Sequence, residues 1–262
     1  MRLSPYGAVL LNSSAGKDSQ AMLDYVHSLI TTQGYKGRVV VVHCDLGRAE
    51  WAGTRELAEE QAKHYGFEFI VVSRPQGDLL DQIEARGMFP SSNARYCTSD
   101  QKTGQVAKVL TQLAKEHLEA GNTEPVRILN CLGLRSAESS ARAKRPEFRF
   151  DKRASNSKRH VDTWLPIFNW SKDEVWAAIK KSGVRHHRAY DLGMPRLSCV
   201  FCVFAPKSAL MLAGKHNPEL LAQYVELEEK IDHKFTMKLS LADVAEALAN
   251  GEEPGPINTW EM

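Results

Sequence analysis

The sequence predicts an α/β fold: a mostly parallel sheet flanked by helices. Three observations carry this. Strand-like apolar runs alternate with stretches of helical periodicity along residues 8–133, the pattern of successive βαβ units. Residues 38–44, Arg-Val-Val-Val-Val-His-Cys, form a nearly continuous β-branched run, typical of a strand covered on both faces. A turn of small residues, Ser13-Ser14-Ala15-Gly16-Lys17-Asp18-Ser19, joins the first apolar run to the first helical stretch.

Taken in order, residues 8–12 read as the first strand and 17–32 as the first helix, with Met22, Val26 and Leu29 on one face. The second strand ends at Asp45. Residues 51–65 read as a helix, 67–72 as the third strand and 77–87 as another helix. Residues 100–119 form an amphipathic helix, because Val106, Val109, Leu110, Leu113 and Ala114 recur at helical spacing. Residues 126–133 are a fourth strand. Residues 142–159 lack apolar periodicity and read as a flexible loop, and 163–167 as a short strand. Ser171 and Glu174 make a capping box that starts the next helix. Helices at 206–213, 217–234 and 240–249 close the chain. The expected division is a larger domain over 1–205, including Cys199-Val-Phe-Cys202, and a helical extension over 206–262 packed on it.

Composition narrows the class. The 262 residues are 43% hydrophobic and 25% charged, with a net charge of +2, ordinary for a globular domain. No apolar run approaches the ~20 residues of a membrane span, and no secretory signal pattern opens the sequence. A cytoplasmic location is the default expectation. The five cysteines are odd in number, which argues against a secreted disulfide framework. Charge is unevenly spread: residues 142–159 carry eight Lys or Arg against two acids. Such a segment calls for an anionic ligand, either a nucleic acid or the phosphates of a bound nucleotide.

The turn at residues 13–19 has the makings of an anion cradle. A strand leading through small residues into a helix presents backbone N–H groups and the positive end of the helix dipole. Lys17 adds a cation, and Ser14 and Ser19 add hydroxyls. It is not a Walker A loop, which needs four residues between its first Gly and the Gly-Lys pair. Asp45, at the tip of the second strand, suits a ribose or adenine contact or a simple turn. Arg135 and Arg142 present the planar forks that clamp phosphate or sulfate oxygens. The alternative for them is surface pairing with Glu138. Cys199 and Cys202 read as a metal site, a redox dithiol, or a chance spacing.

Together these segments resemble the phosphoadenosine phosphosulfate (PAPS) reductase family, within the PP-loop adenine nucleotide alpha-hydrolase-like superfamily. Residues 14–19 resemble the PP-loop Ser-Gly-Gly-x-Asp-Ser, with Ala15 where the family has its first Gly. Gly133-Leu134-Arg135-Ser136-Ala137-Glu138-Ser139 with Arg142, Pro166-Ile167 with Trp170, and Tyr190-Asp191-Leu192-Gly193 match further family segments in the family's order. The resemblance implies a Rossmann-like sheet with a cysteine-bearing helical portion, and an enzyme of sulfur chemistry that binds ATP or a related adenine nucleotide. Ser14, Ala15, Gly16, Lys17, Asp18, Ser19, Asp45, Gly133, Arg135 and Arg142 would hold the nucleotide, with Lys17, Asp18 and Arg135 catalytic and Asp18 orienting the loop or a Mg2+. It implies a metal at Cys97, Cys199 and Cys202: a 4Fe-4S cluster, with zinc as the alternative. Cys131, Cys44, a histidine such as His187 or a non-protein group would be its fourth ligand. No cysteine follows Cys202, where the family's reductases carry a nucleophilic thiol. An adenylating sulfurtransferase, releasing AMP and pyrophosphate, is therefore expected ahead of a PAPS or adenylylsulfate reductase. A non-catalytic nucleotide-binding partner in a nucleic-acid modification or defence complex is the remaining expectation. Expected partners are an adenine nucleotide, DNA or RNA at 142–159, a sulfur-donor protein and a second copy of the chain, with no membrane.

Overall fold

The computed structural model describes residues 1–257 and 260. In chain order the first elements are β1 (Ala8–Ser13), α1 (Lys17–Gln33), β2 (Arg38–Cys44), α2 (Thr54–His64) and β3 (Glu68–Val72). Then come α3 (Leu79–Arg86), the single turn α4 (Tyr96–Thr98), a π-turn at Ser99–Thr103, and α5 (Gly104–Glu119). β4 (Val126–Leu132), α6 (Ser140–Ala143), β5 (Phe148–Phe150) and β6 (Arg159–Trp164) follow. The last helices are α7 (Lys172–Ser182), α8 (Lys207–His216), α9 (Pro218–Ile231) and α10 (Leu241–Ala249).

The chain divides into two compact units. The first comprises Met1–Cys44, Gly53–Val72 and Gly104–His187 and holds the whole sheet. Its strands run in the order β3-β2-β1-β4-β6-β5, parallel except for β5 against β6. Alternation along each strand sends side chains to two cores. Val9, Leu11, Val41 and Leu129 pack with Met22 and Val26 of α1 and Val175 and Ile179 of α7. Ala8, Leu10, Val40 and Ile128 pack with Val106, Val109 and Leu113 of α5. The chain leaves β1 toward β2 on one side, while β4 lies on the other. The carboxyl ends of β1 and β4 therefore form the switch point at which open α/β sheets bind ligands.

The stretch expected to be a flexible loop is instead an antiparallel hairpin at the sheet edge. β5 pairs with β6 in the register Phe148↔Trp164, Arg149↔Thr163 and Phe150↔Asp162. The tip is an Asp151 turn, whose carbonyl accepts the N–H groups of Ala154 (3.1 Å) and Ser155 (3.0 Å). β6 also starts four residues earlier than expected, because its polar residues are satisfied inside the protein. Asp162 accepts from the Tyr6 hydroxyl at 2.9 Å and from Arg127 at 3.2 Å. Arg159 donates to Ala154 O and to Thr111 Oγ1, both at 2.7 Å.

The second unit comprises Asp45–Ala52, Ser73–Thr103 and Arg188–Met262. The division expected at residue 205 falls elsewhere. Leu46, Trp51, Leu79, Ile83, Phe89 and Tyr96 share one apolar core with Leu210, Leu221, Tyr224, Phe235 and Val244, so α8, α9 and α10 cannot be separated from α3. A buried carboxylate organises the C-terminal helices: Glu228 accepts from the N–H groups of Phe235 (2.5 Å), Leu241 (2.7 Å) and Ala242 (3.2 Å). It thus serves two donors at the start of α10 that have no intrahelical partner.

Glu228→Ala strands these amides away from water and is expected to cost about 2–4 kcal/mol of stability. Glu228→Gln, which keeps one acceptor oxygen, should cost less. Denaturant unfolding of both variants checks the ranking.

Candidate functional site

The first candidate centre forms where β1 hands over to α1. Gly16 is the N-cap residue of α1 and brings no side-chain cap, so the helix end faces the turn with its dipole uncovered by a capping group. Ala15 is buried and left-handed, with φ 56°. This is the position at which the PP-loop pattern has glycine, and the backbone explains that preference. The Ala15 N–H donates to Ser13 Oγ at 3.2 Å, and the Ser14 N–H to Ser19 Oγ at 3.3 Å. Ser19 Oγ in turn donates to the Gly16 carbonyl at 2.9 Å. Both hydroxyls thus shape the turn itself.

Two cations converge on one carboxylate here. Lys17 Nζ lies 3.0 Å from Asp18 Oδ2, and Arg135 Nε lies 2.6 Å from Asp18 Oδ1. Lys17 and Arg135 are buried, with 4% and 6% of their surface exposed. A buried cluster with two positive charges and one negative charge favours an added anion. Arg135 also donates to the Trp170 carbonyl at 3.3 Å, so the backbone of Trp170, rather than its ring, touches the cluster. Glu138 accepts the Arg135 backbone N–H at 3.0 Å and takes the Arg142 guanidinium one turn further on. The ion pair with Glu138, the alternative to an anion clamp, is made by Arg142, while the Arg135 fork is held by Asp18. Asp18 thus holds the Lys17 ammonium and the Arg135 guanidinium in one place.

Gly133 permits this approach. A Cβ there would lie 2.9 Å from the Asp18 carbonyl carbon and oxygen and from the Ser19 nitrogen. The end of β4 therefore meets the first turn of α1 with no room for a side chain. Asp45 directly follows β2, and its Oδ1 accepts the Gly47 N–H at 2.8 Å, the turn role open to it from sequence.

The second candidate centre lies in the second unit. Cys199 and Cys202 flank Val200 and Phe201, which are buried at 1% and 3% exposure and pin the turn into the apolar core. The Val200 N–H donates to Ala49 O at 2.9 Å, and the Ala205 N–H to Cys202 O at 2.8 Å. Cys97 sits in α4, just before the π-turn, a distortion often found at functional sites. The three thiols lie close enough to act on one another electrostatically: Cys97 and Cys202 both raise the Cys199 pKa. Desolvation by enclosing atoms is the larger cause and pushes Cys199 up to about 12; Cys202 is raised for the same reason. Lys102, on the π-turn, opposes both shifts. Sequence reasoning passed over this lysine, whose only signal was its place five residues after Cys97.

Among the described residues, no group of three or more His, Cys, Asp or Glu side chains is drawn together tightly enough to hold a metal ion. Cys131, expected as a fourth ligand, belongs to the apolar core under β4 beside Leu129 and Trp164, where burial raises its pKa. His187 is buried in the first unit, its Nε2 3.1 Å from Thr54 Oγ1.

Residues 8–205 match the phosphoadenosine phosphosulfate reductase domain. The chain belongs to this family. The match runs through both units and takes in both candidate centres. Among curated relatives, an uncharacterized 37.8 kDa protein of Escherichia phage 186 is 28% identical over 67% of this chain and 50% of its own. An uncharacterized protein of Methanocaldococcus jannaschii is 25% identical over 87% of this chain and 43% of its own. The adenosine 5'-phosphosulfate reductase of Allochromatium vinosum is 29% identical over 58% of this chain and 54% of its own. The chain spans about half the length of these relatives. Of solved structures, the FMN adenylyltransferase of Candida glabrata superposes with a TM-score of 0.50 at 13% identity, covering 78% of this chain and 58% of that one. That likeness shows the fold alone, a Rossmann-like α/β sheet. No helix among the described residues is long and apolar enough to cross a membrane.

Two substitutions probe the family's loop in this chain. Gly133→Ala forces β4 and α1 apart and is expected to weaken adenine nucleotide binding at least tenfold, measured by calorimetry. Ala15→Gly relieves the left-handed alanine, partly offset by a freer unfolded chain, and should raise stability by up to about 1 kcal/mol with nucleotide binding retained.

Proposed function

We propose that this PAPS-reductase-family chain is an enzyme of sulfur chemistry that uses ATP to adenylate a substrate oxygen. The observation that carries the reading is the buried Lys17–Asp18–Arg135 cluster at the uncapped start of α1. Charge of the pyrophosphate type develops when an α–β phosphate bond breaks, and fixed cations beside a helix N-terminus stabilise it. In the proposed step the substrate oxygen attacks the α-phosphorus of ATP. The bond to the β-phosphate oxygen breaks, and pyrophosphate leaves carrying the electron pair. Lys17, Arg135 and the first-turn N–H groups of α1 hold its oxygens, while Asp18 keeps the two cations apart and aimed. Arg142 and Asp45 are assigned to the remaining phosphate oxygens and to the ribose or adenine. Sulfide-level sulfur from a donor protein then attacks the atom that bears the adenylated oxygen; the bond to that oxygen breaks, and AMP leaves with the oxygen and the electron pair.

Cys97, Cys199 and Cys202 would hold a 4Fe-4S cluster, with zinc as the alternative metal. Three soft sulfur donors and the Cys-x-x-Cys spacing fit either. Such a cluster would supply an iron site for sulfur chemistry. A second reading, reduction of PAPS or adenylylsulfate, is favoured by the reductase name borne by the Allochromatium vinosum relative.

ATP should bind, and AMP and pyrophosphate should be released in the presence of an acceptor. Lys17→Ala and Arg135→Ala are each expected to lower that rate about a hundredfold. Release of sulfite from PAPS or adenylylsulfate with a thiol reductant, and no AMP release from ATP, would instead establish the reductase. Anaerobic purification followed by iron, sulfide and zinc analysis decides the metal, and Cys199→Ser should abolish loading in either case.

A further inference from the structure

We propose that the β5 edge is a docking platform for single-stranded nucleic acid, with Phe148 and Phe150 as its stacking surfaces. β5 is the last strand of the sheet. Phe148 and Phe150 are two apart on it, so their rings share one face. They are 45% and 49% exposed, among the few large hydrophobic side chains left open to water. The Phe150 ring packs against His160 of β6, with 4.6 Å between centroids and the rings tilted by 34°.

The backbone beside the rings also faces outward. Glu147 O accepts from Leu165 N–H at 2.8 Å, and Asp151 N–H donates to Val161 O at 2.9 Å. The hydrogen-bonded positions facing β6 are thus the odd-numbered ones, and the amides of Phe148 and Phe150 point along the open edge.

Charge identifies the occupant. Lys144, Arg145, Arg149, Lys152, Arg153 and Lys158, which precede, interleave and follow the two phenylalanines in the hairpin segment, are all exposed. The two acids of the segment are turned to structural work. Asp151 takes Arg149 (3.0 Å), the Thr163 hydroxyl (3.1 Å) and the Ala154 N–H (3.3 Å), and Glu147 accepts from Asn169 (3.3 Å). Edge strands are commonly guarded by charge against self-pairing, and a second copy of this chain would bring an equal row of cations to the same place. A purely protective edge, however, gains nothing from two exposed phenylalanines. Rings interleaved with cations suit a polyanion whose bases are free to stack, which is a single strand rather than a duplex. The platform names the acceptor class of the adenylation reaction, and in that respect it rests on that reading; the binding itself does not.

The test is fluorescence anisotropy with labelled single strands of DNA and of RNA, roughly 15 nucleotides long, and with a blunt duplex as control. Wild type should bind one or both single strands more tightly than the duplex, and the comparison of DNA with RNA identifies the source. Phe148→Ser/Phe150→Ser should weaken binding about tenfold or more, while Phe148→Tyr/Phe150→Tyr should retain it. Lys152→Glu/Arg153→Glu/Lys158→Glu should weaken binding and flatten its salt dependence. Circular dichroism and unchanged adenine nucleotide binding establish that the variants are folded. Absence of strand binding by wild type, binding indifferent to the rings, or a concentration-dependent dimer that the serine variants abolish would each overturn the platform. AMP release is measured separately. Strand binding without AMP release removes the adenylation and leaves the platform, and AMP release with no strand binding removes the platform alone.

Discussion

The first unit depends on the Asp18 carboxylate. It is the point at which two segments far apart in sequence, the β1–α1 turn and the end of β4, are held in one place. Lys17 comes from its own helix and Arg135 from across the sheet's switch point. The cations would repel each other without the carboxylate between them, and the carboxylate would be costly to bury without the cations. Gly133 makes the contact sterically possible, and Ser13 and Ser19 set the curvature of the turn. The result is a largely buried, preorganised pair of cations, and fixed charges of this kind are effective on a phosphate.

Most of the first unit was legible from sequence because its strands are apolar and its helices periodic. The run 38–44 could only be a covered strand, and the Ser171–Glu174 capping box is present as read. What could not be read was β6. Arg159 and Asp162 look like loop residues until their partners, Thr111 for the first and Tyr6 and Arg127 for the second, are brought beside them by tertiary pairing. The β5 hairpin reads as a loop for a similar reason: Phe148-Arg149-Phe150 is only three residues long, follows Pro146 and lies in a strongly charged segment. The site was legible in its residue types but not in its pairings. Sequence spacing offers only Glu138 as a nearby partner for Arg135, whereas the fold supplies Asp18, 117 residues away.

The cysteines show a different limit. Cys97 and the Cys199–Cys202 turn could be grouped from the family pattern, but the unit that holds them is assembled from three separated segments. Its core draws on residues from Leu46 to Val244 and beyond. No composition change or linker marks its borders, because each segment enters and leaves at the end of a sheet strand or helix. Cys131 was attractive only as a count of thiols; strand alternation sends it into the apolar layer with Leu129.

That discontinuity sets an order of events during synthesis. The sheet unit is complete once residue 187 has emerged, whereas the cysteine-bearing unit must wait for segments that follow Arg188. Cys97 leaves the ribosome 102 residues ahead of Cys199, about 5–20 s earlier at ordinary elongation rates. Through that interval its thiol has neither its neighbours nor its core. A site that needs all three cysteines is complete only after the segment beyond Arg188 is made, so full loading would follow synthesis of the sheet unit.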